Sequence, residues 1–363
     1  MQVKLNKCMK TALLAYGMSG KVFHAPFLHL HPGFQLAGAW ERSKQQIGQD
    51  YENVQSYPSL EAVLQDSSIE LVVVNTPTFT HYDYTKQALL AGKHAIVEKA
   101  FTTTVAEAEE LKTLAEAKNL KLSVFQNRRW DSDFKTVQKI FSEGILGPIT
   151  EAEFHFDRFN PAPGPKLHKE LPGPGAGILK DLGAHIIDQA LCLFGVPESV
   201  FGDIRITRPG SQVDDYFEIL LYYPTMRVRL KAGYLVREPV PSYQLHGMQG
   251  SFLKSRADKQ EADSKAGKKP GAADWGVEPD SESGLLHTET GGKIIREKVE
   301  TEQGNYYDYY EGVYRAIVDN TPLPVSAQDG VNVMRVIEAA IKSSAEGRIV
   351  AWSNVKDQFD DET

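Results

Sequence analysis

The chain is poor in cysteine, in long apolar runs and in clustered positive charge, and each shortage narrows what it can be. Two cysteines, Cys8 and Cys192, occur in 363 residues. Neither belongs to a CxxC or Cys/His cluster, so no disulfide framework is expected and a reducing compartment is the simpler reading. No stretch approaches the ~20 apolar residues of a membrane span. Met1 to Lys10 carries lysines but no apolar run long enough for a signal peptide. The expectation is a soluble, cytoplasmic protein with no membrane partner. A formal net charge of −8 repels phosphate backbones and argues against nucleic acid as a partner. The densest basic run, Lys265 to Lys269, sits among acidic residues, as a solvated loop would.

What is present is a large hydrophobic fraction, 41%, enough for more than one core. At roughly 100–200 residues per domain the length predicts two or three domains. The first third alternates apolar runs with helical patterns. Thr11–Gly17, Phe34–Glu41, Ile69–Pro77, His94–Lys99 and Lys121–Asn127 read as strands buried on both faces. Thr80–Lys93 and Thr104–Asn119 read as helices, the second opened by a Thr104/Glu107 capping box. Strands alternating with helices predict a doubly wound α/β sheet over residues 1–128.

The pattern changes after Trp130. Ser132–Glu143 and Asp181–Gly195 read as helices, as do Asn305–Asn320 and Gln328–Glu346. Between them lie predicted strands Ile149–Phe159, Val200–Thr207, Tyr216–Tyr222, Arg227–Tyr234 and Ser242–Gln249. Leu285–Thr290 and Lys293–Lys298 form a hairpin around Gly291-Gly292. So few helices cannot cover so many strands on two faces. Residues 129–363 are therefore expected to form an α+β domain with a large, mostly antiparallel open sheet. The uncovered side of that sheet is expected to be apolar. Pro161–Gly177 reads as a loop, and the polar stretch Ala257–Ser283 as a long surface loop or a flexible insertion.

The first strand runs into Gly17-Met18-Ser19-Gly20-Lys21-Val22. The dinucleotide fingerprint is GxGxxG between a strand and a helix. Here Ala15 stands at its first position and Gly17 and Gly20 at the second and third. The second glycine lets backbone approach a pyrophosphate, and free N–H groups at the helix start receive it. A tight strand–helix turn with no ligand would look the same locally. Glu41, at the end of the second strand, is placed to meet ribose hydroxyls, which favours NAD. Arg42 beside it could pair with a 2′-phosphate, which keeps NADP open.

Lys99 ends the fourth strand beside Glu98, at the sheet edge where open α/β folds bind ligands. Asp181 and His185 lie four apart on a predicted helix, so they share a face, with Asp188 nearby. A carboxylate near an imidazole suits a general base. A structural His–Asp pair, or metal ligation by Asp181, His185 and Asp188, would need the same residues. No further His/Glu cluster supports a metal, and none is expected.

The blocks AYGMSGKVFHAPFL, VVNTPTFTHY, HAIVEKAFT, FQNRRWDSDF and GAGILKDLGAHIIDQALCLFG, in this order, resemble the Gfo/Idh/MocA oxidoreductases, closest to inositol and sugar dehydrogenases. They span roughly Thr11 to Gly195, and the rest agrees in general pattern. The resemblance implies a catalytic Lys99, within Glu98-Lys99-Ala100 where the family has EKP. It implies that Asp181 and His185 form the family's D-x-x-x-H pair. It places Thr76, Pro77 and His81 on the loop bordering the two halves of the cofactor, and Asn127 and Arg128 over the nicotinamide. Glu98 falls with the cofactor-binding set. The family's proline often follows a cis peptide. With Ala100 in its place a trans bond is expected, because a non-proline cis bond costs about 2.5–4 kcal/mol.

The function these readings predict is oxidation of a secondary alcohol of a sugar or cyclitol, or reduction of the ketone, with NAD or NADP. His185 takes the hydroxyl proton, titrating near neutrality, and Lys99 stabilises the alkoxide, although either residue could serve as the base; Asp181 orients His185 and helps bind a neighbouring hydroxyl. The resemblance also implies a homodimer or homotetramer. The alternatives are a glycoside-cleaving enzyme with retained NAD and a non-enzymatic sugar or dinucleotide sensor.

Overall fold

The computed structural model describes residues 7–42, 44–165 and 167–353. Residues 1–6, part of the segment read for a signal peptide, and residues 354–363, the end of the expected second domain, lie outside the described residues. Among the described residues the strands form two sheets. The first contains β1 (Met9–Leu13), β2 (Phe34–Trp40), β3 (Gln55–Tyr57), β4 (Leu71–Val74), β5 (His94–Glu98) and β6 (Leu122–Phe125). Its order is β3-β2-β1-β4-β5-β6, and every neighbouring pair runs parallel. β4 is buried along its whole length, which is why its sequence is Leu-Val-Val-Val rather than alternating. The strand order reverses between β1 and β4. Their connections leave to opposite sides, and a crevice opens at their carboxyl ends.

Local chemistry sets the boundaries. The helix Val105–Ala117 begins at the expected capping box, with Thr104 accepting from the Glu107 N–H and Glu107 from the Thr104 N–H. β1 ends earlier than the apolar run predicts. The Asn75 side chain brackets Ala15, accepting from its N–H at 2.9 Å and donating to its carbonyl at 2.8 Å. A side chain thus replaces the sheet ladder where the glycine turn starts. β3 and the short helices Ile47–Asp50 and Leu60–Gln65 escape the sequence reading because each is too short for periodicity to show.

The second sheet contains β7 (Ile149–His155), β8 (Ser199–Arg205), β9 (Tyr216–Tyr222), β10 (Arg227–Gly233), β11 (Tyr243–Gly247), β12 (Gly250–Lys254), β13 (Gly284–Thr290), β14 (Lys293–Val299) and β15 (Val350–Ala351). Their order is β14-β13-β12-β11-β7-β10-β9-β8-β15. Only β7 and β10 pair in parallel; the other neighbours are antiparallel. Gly291 and Gly292, at φ 59° and 74°, make the two-residue hairpin turn after β13, as the sequence predicts.

One face of this sheet, with Phe154, Ile219 and Leu230 fully buried, packs under helices Ala184–Phe194 and Ala327–Glu346. The other face is not the apolar surface expected. Arg229 pairs there with Glu153 and with Glu218 at 3.0 Å, interleaved with Leu220 and Tyr222. A strand buried on one side only is free to carry charge on the other.

The stretch 257–283 is not a flexible insertion. It contains the helix Gln260–Lys265, and its Trp275 is 2% exposed. Gln260 donates to the Trp130 carbonyl and accepts from the Trp275 indole and the Tyr306 N–H. Much of the stretch is exposed, but its buried polar residues Gln260 and Glu278 are held by hydrogen bonds. Lys265 and Lys268 of the basic run pair with Glu261, Asp263 and Asp274.

We propose 1–128 and 129–363 as the division by sheet. Helices Tyr307–Val318 and Ala327–Glu346 pack on both sides of it. Tyr309 donates to Ser123 of β6 at 2.9 Å, and Tyr310 meets His24 at 2.9 Å.

Candidate active site

The turn after β1 enters a single π turn, Gly20–His24, before the helix Ala25–Leu30. Neither Gly17 nor Gly20 has positive φ, so both act through space. A Cβ on Gly20 would stand 2.6 Å from the Ala15 carbonyl oxygen, the close strand–helix approach expected of the third glycine. A Cβ on Gly17 would meet nothing within 4 Å. It would project into open space where a phosphate could sit, so this turn fits a dinucleotide. Met18 is exposed, whereas Val22 is buried in the core. Lys21 reaches Asp50 at 3.3 Å, and Tyr16 donates to the same carboxylate at 2.8 Å.

Two cavities flank this turn. One, of about 600 Å³, is lined by Gly17, Met18, Glu41, Arg42, Lys44 and Thr76 among others. It has the position for the adenosine half. Glu41 lines it, but its carboxylate accepts from the N–H groups of Gln46 (2.9 Å) and Ile47 (3.0 Å) and from Ser56 (2.7 Å). Its described bonds thus cap the next helix, and the strand-end position alone does not commit it to ribose.

The second cavity, of about 410 Å³, is lined by Ser19, Pro77, Lys99, Asn127, Asp181 and His185 among others. Lys99 donates to the Asp181 carbonyl oxygen at 2.5 Å and to its carboxylate at 3.1 Å. Lys169 donates to the same carboxylate oxygen at 2.6 Å. Burial lowers the Lys99 pKa, opposed by Asp181 and reinforced by Lys169. Burial works against the Asp181 carboxylate too, yet the two ammonium groups hold its pKa well below the usual range.

Asp181 therefore does not orient His185, contrary to expectation. It lies in a π turn, Leu179–Gly183, preceding the helix that carries His185. The wider turn breaks the four-residue α-helical relation, and the lysines claim the carboxylate. His185 Nδ1 is buried with no hydrogen-bond partner among the described residues. Burial, and then Lys99, Arg128, Arg256 and Lys169, push its pKa well below the ordinary imidazole value. It is neutral at pH 7 rather than titrating there. Asp188 is held by Arg129 through two bonds of 2.7 Å. Among the described residues no group of three His, Cys, Asp or Glu side chains could hold a metal.

The Lys99–Ala100 peptide bond is cis, which corrects the expectation of trans. The bond's intrinsic preference is only one term. Ala100 is buried and its carbonyl faces His81 Nδ1 at 2.9 Å, within a packed turn. His81 Nε2 faces the Thr76 carbonyl at 2.9 Å. His81, itself buried, thus ties together the two loops that border the cleft. Thr76 also shares a hydrogen bond with Thr80 at 2.6 Å. Glu98 accepts from Ser19, and His24 lies 3.0 Å from the same oxygen. It anchors the glycine-turn helix to β5. Burial opposes its charge, yet these partners hold its pKa down at about 2. Arg128 is paired with Asp131 (3.2 Å) and Glu261 (3.0 Å).

Sequence reasoning missed Lys169 and Glu261. Both lie in stretches read as loops, and no local spacing links either to the site.

Comparison with known proteins agrees with this arrangement. The oxidoreductase-family model for an NAD-binding Rossmann fold matches residues 9–126, and that for the C-terminal alpha/beta domain matches residues 139–352. The chain is 38% identical over 342 residues to scyllo-inositol 2-dehydrogenase (NADP(+)) IolW of Bacillus subtilis, covering 94% of this chain and 95% of that protein. The crystal structure of a Bacteroides fragilis protein superposes with a TM-score of 0.88 at 45% identity, covering 95% of this chain and 100% of the other. That of an oxidoreductase from Bacillus cereus gives a TM-score of 0.88 at 31% identity, covering 94% and 98%. With both domains matched, the chain belongs to the Gfo/Idh/MocA oxidoreductase family and is an NAD(P)-dependent dehydrogenase.

Proposed function

We propose that the enzyme oxidises a secondary alcohol of a sugar or cyclitol, or reduces the matching ketone. The observation that carries this reading is the convergence of Lys99, Asp181 and His185 on one cavity beside the glycine turn. When bound, the nicotinamide supplies the hydride acceptor or donor. Gly17 to Gly20 would seat the pyrophosphate, with Thr76, Pro77, Asn127 and Arg128 bordering the nicotinamide half. His185, neutral in its buried setting, takes the hydroxyl proton. Lys99 keeps a positive charge beside the developing alkoxide. Asp181 holds that ammonium in place, a role different from orienting the imidazole.

NADP is the cofactor this reading favours, although Glu41 at its strand end points to NAD by analogy. The Glu41 carboxylate already accepts three hydrogen bonds, while Arg42 and Lys44 line the same cavity. Both cations suit a 2′-phosphate. The NADP(+) in the name of the Bacillus subtilis relative supports the choice. A homodimer or homotetramer, as the family resemblance implies, completes the proposal. The test is a panel of polyols and sugars supplied with NAD or NADP, followed by absorbance of the reduced cofactor. Reduction by at least one polyol, faster with NADP, is expected. No reduction across the panel would overturn the reading.

A further inference from the structure

The catalytic cavity does not end at His185. A second cavity of about 790 Å³ adjoins it, and Arg128, Arg158 and Glu261 line both. At this junction the Phe156 ring carries three guanidinium groups, those of Arg256 at 4.2 Å, Arg158 at 5.1 Å and Arg128 at 5.3 Å from its centroid. Three like charges gathered on one ring repel one another unless counter-charge is near.

Arg128 has its counter-charges in Asp131 and Glu261. Arg256 has no comparable partner. Its nearest carboxylate is Asp131, 3.9 Å away. Asp131 lies closer to Arg128, at 3.2 Å, so Arg256 shares a carboxylate already engaged by another guanidinium. The Arg256 Nη2 donates to the Gln189 side-chain Oε1 at 3.4 Å, while Nε and Nη1 are buried with no hydrogen-bond partner among the described residues. The guanidinium also stacks on Tyr243, at 4.8 Å, which fixes its plane.

The other carboxylates lining this cavity are engaged elsewhere. Asp157 meets His155 and the Gly233 N–H. Asp258 accepts from Ser132 and Gln260. Glu282 accepts from Ser255. Lys254, on the same wall, is matched by Glu278 at 2.6 Å. Among the described residues no carboxylate comes closer than 3.9 Å to Arg256 and none pairs with Arg158, so these two guanidinium groups are the ones left without a close counter-charge.

Arg158 and Arg256 both line this cavity, and the planar fork of a guanidinium matches the oxygens of a carboxylate or phosphate. The Phe156 ring that Arg256 covers lies 6.2 Å, centroid to centroid, from the His185 ring. A substrate whose hydroxyl meets His185 can extend across the junction to this guanidinium.

We propose that the physiological substrate is a sugar or cyclitol bearing an anionic group, carboxylate or phosphate, which docks on Arg256 and Arg158 beside Phe156. The proposal rests on the dehydrogenase reading above and narrows its substrate class. Glucose, glucuronate and glucose 6-phosphate share one ring form and differ in the charge they carry. Formation of reduced cofactor from each is compared in the wild type, Arg256→Gln and Arg158→Gln.

At least one anionic probe is expected to exceed glucose in kcat/KM by roughly 10- to 100-fold, the range of one or two charge-assisted bonds. Whichever probe leads distinguishes carboxylate from phosphate. The advantage should collapse in Arg256→Gln and shrink in Arg158→Gln. The second variant alters an exposed side chain and decides the matter if the first does not fold. Equal use of glucose, or an anionic advantage that survives both substitutions, overturns the proposal and leaves the dehydrogenase reading intact. If none of the three is oxidised, calorimetry of glucuronate, glucose 6-phosphate and inorganic phosphate with the cofactor-loaded enzyme decides it. Binding that is lost in the variants upholds the anion site, and no binding overturns it. The polyol panel judges the dehydrogenase reading separately.

Discussion

Lys99 and Asp181 are joined twice across the two domains, through the Asp181 carbonyl oxygen at 2.5 Å and through its carboxylate at 3.1 Å. One residue follows a strand of the parallel sheet, and the other sits in the π turn before the helix of His185. The contact fixes the ammonium beside the base. Lys169 shares the carboxylate, so two cations are held by one anion.

That sharing sets the pH profile. With the roles proposed above, alcohol oxidation needs His185 neutral and Lys99 charged, so its rate rises through the His185 pKa and falls through the Lys99 pKa. Both values are lowered, chiefly by burial and further by neighbouring cations that include Lys169. The acid limb is therefore expected below the ordinary imidazole range and the alkaline limb below the ordinary lysine range. Lys169→Met removes one cation and gives Lys99 sole possession of Asp181. Both limbs of kcat/KM should move to higher pH. Limbs that stay in place would show that Lys169 does not act on the catalytic pair.

The two glycines of the turn should fail in different ways. Gly20→Ala places a Cβ 2.6 Å from the Ala15 carbonyl oxygen, a backbone atom that cannot swing away. A loss of about 1–3 kcal/mol of stability is expected, the usual range for overpacking. Gly17→Val has open space around its Cβ. It should fold normally and lose dinucleotide affinity. Thermal melts and cofactor titration separate the two outcomes. Unchanged NAD(P) affinity in Gly17→Val would show that the pyrophosphate does not cross this turn.

Much of this arrangement is legible in the sequence because its signals are local. The glycine spacing, the Thr104/Glu107 capping box and the Gly291-Gly292 hairpin each follow from a few adjacent residues. The readings that failed depend on distant partners. The role given to Asp181 assumed regular α-helical spacing, and a π turn together with Lys169, from another segment, changed it. The near-neutral titration expected of His185 ignored burial among cations drawn from four separate elements. The strand-end position of Glu41 was visible, but the N–H groups of Gln46 and Ile47 that engage it were not. Gln260 and Trp275 looked like an exposed stretch because buried polar groups and solvated ones share a composition.

Trp275 tests that last correction. It is 2% exposed, meets Phe27 edge-on at a centroid distance of 6.0 Å, and donates to Gln260 at 3.2 Å. Trp275→Ala should destabilise the protein by about 3–5 kcal/mol, read from denaturant unfolding. A change below 1 kcal/mol would mean that the segment carrying it is not part of the packed structure.

The most direct test of the whole account is single-turnover hydride transfer in His185→Ala and Lys99→Ala, measured beside cofactor affinity in the same variants. Groups acting as acid, base or charge stabiliser at the reacting oxygen typically contribute ~100- to 10,000-fold. Losses in that range are expected for both variants, with NAD(P) affinity close to wild type. Wild-type rates of hydride transfer in both would contradict the assignment of this cavity as the catalytic centre.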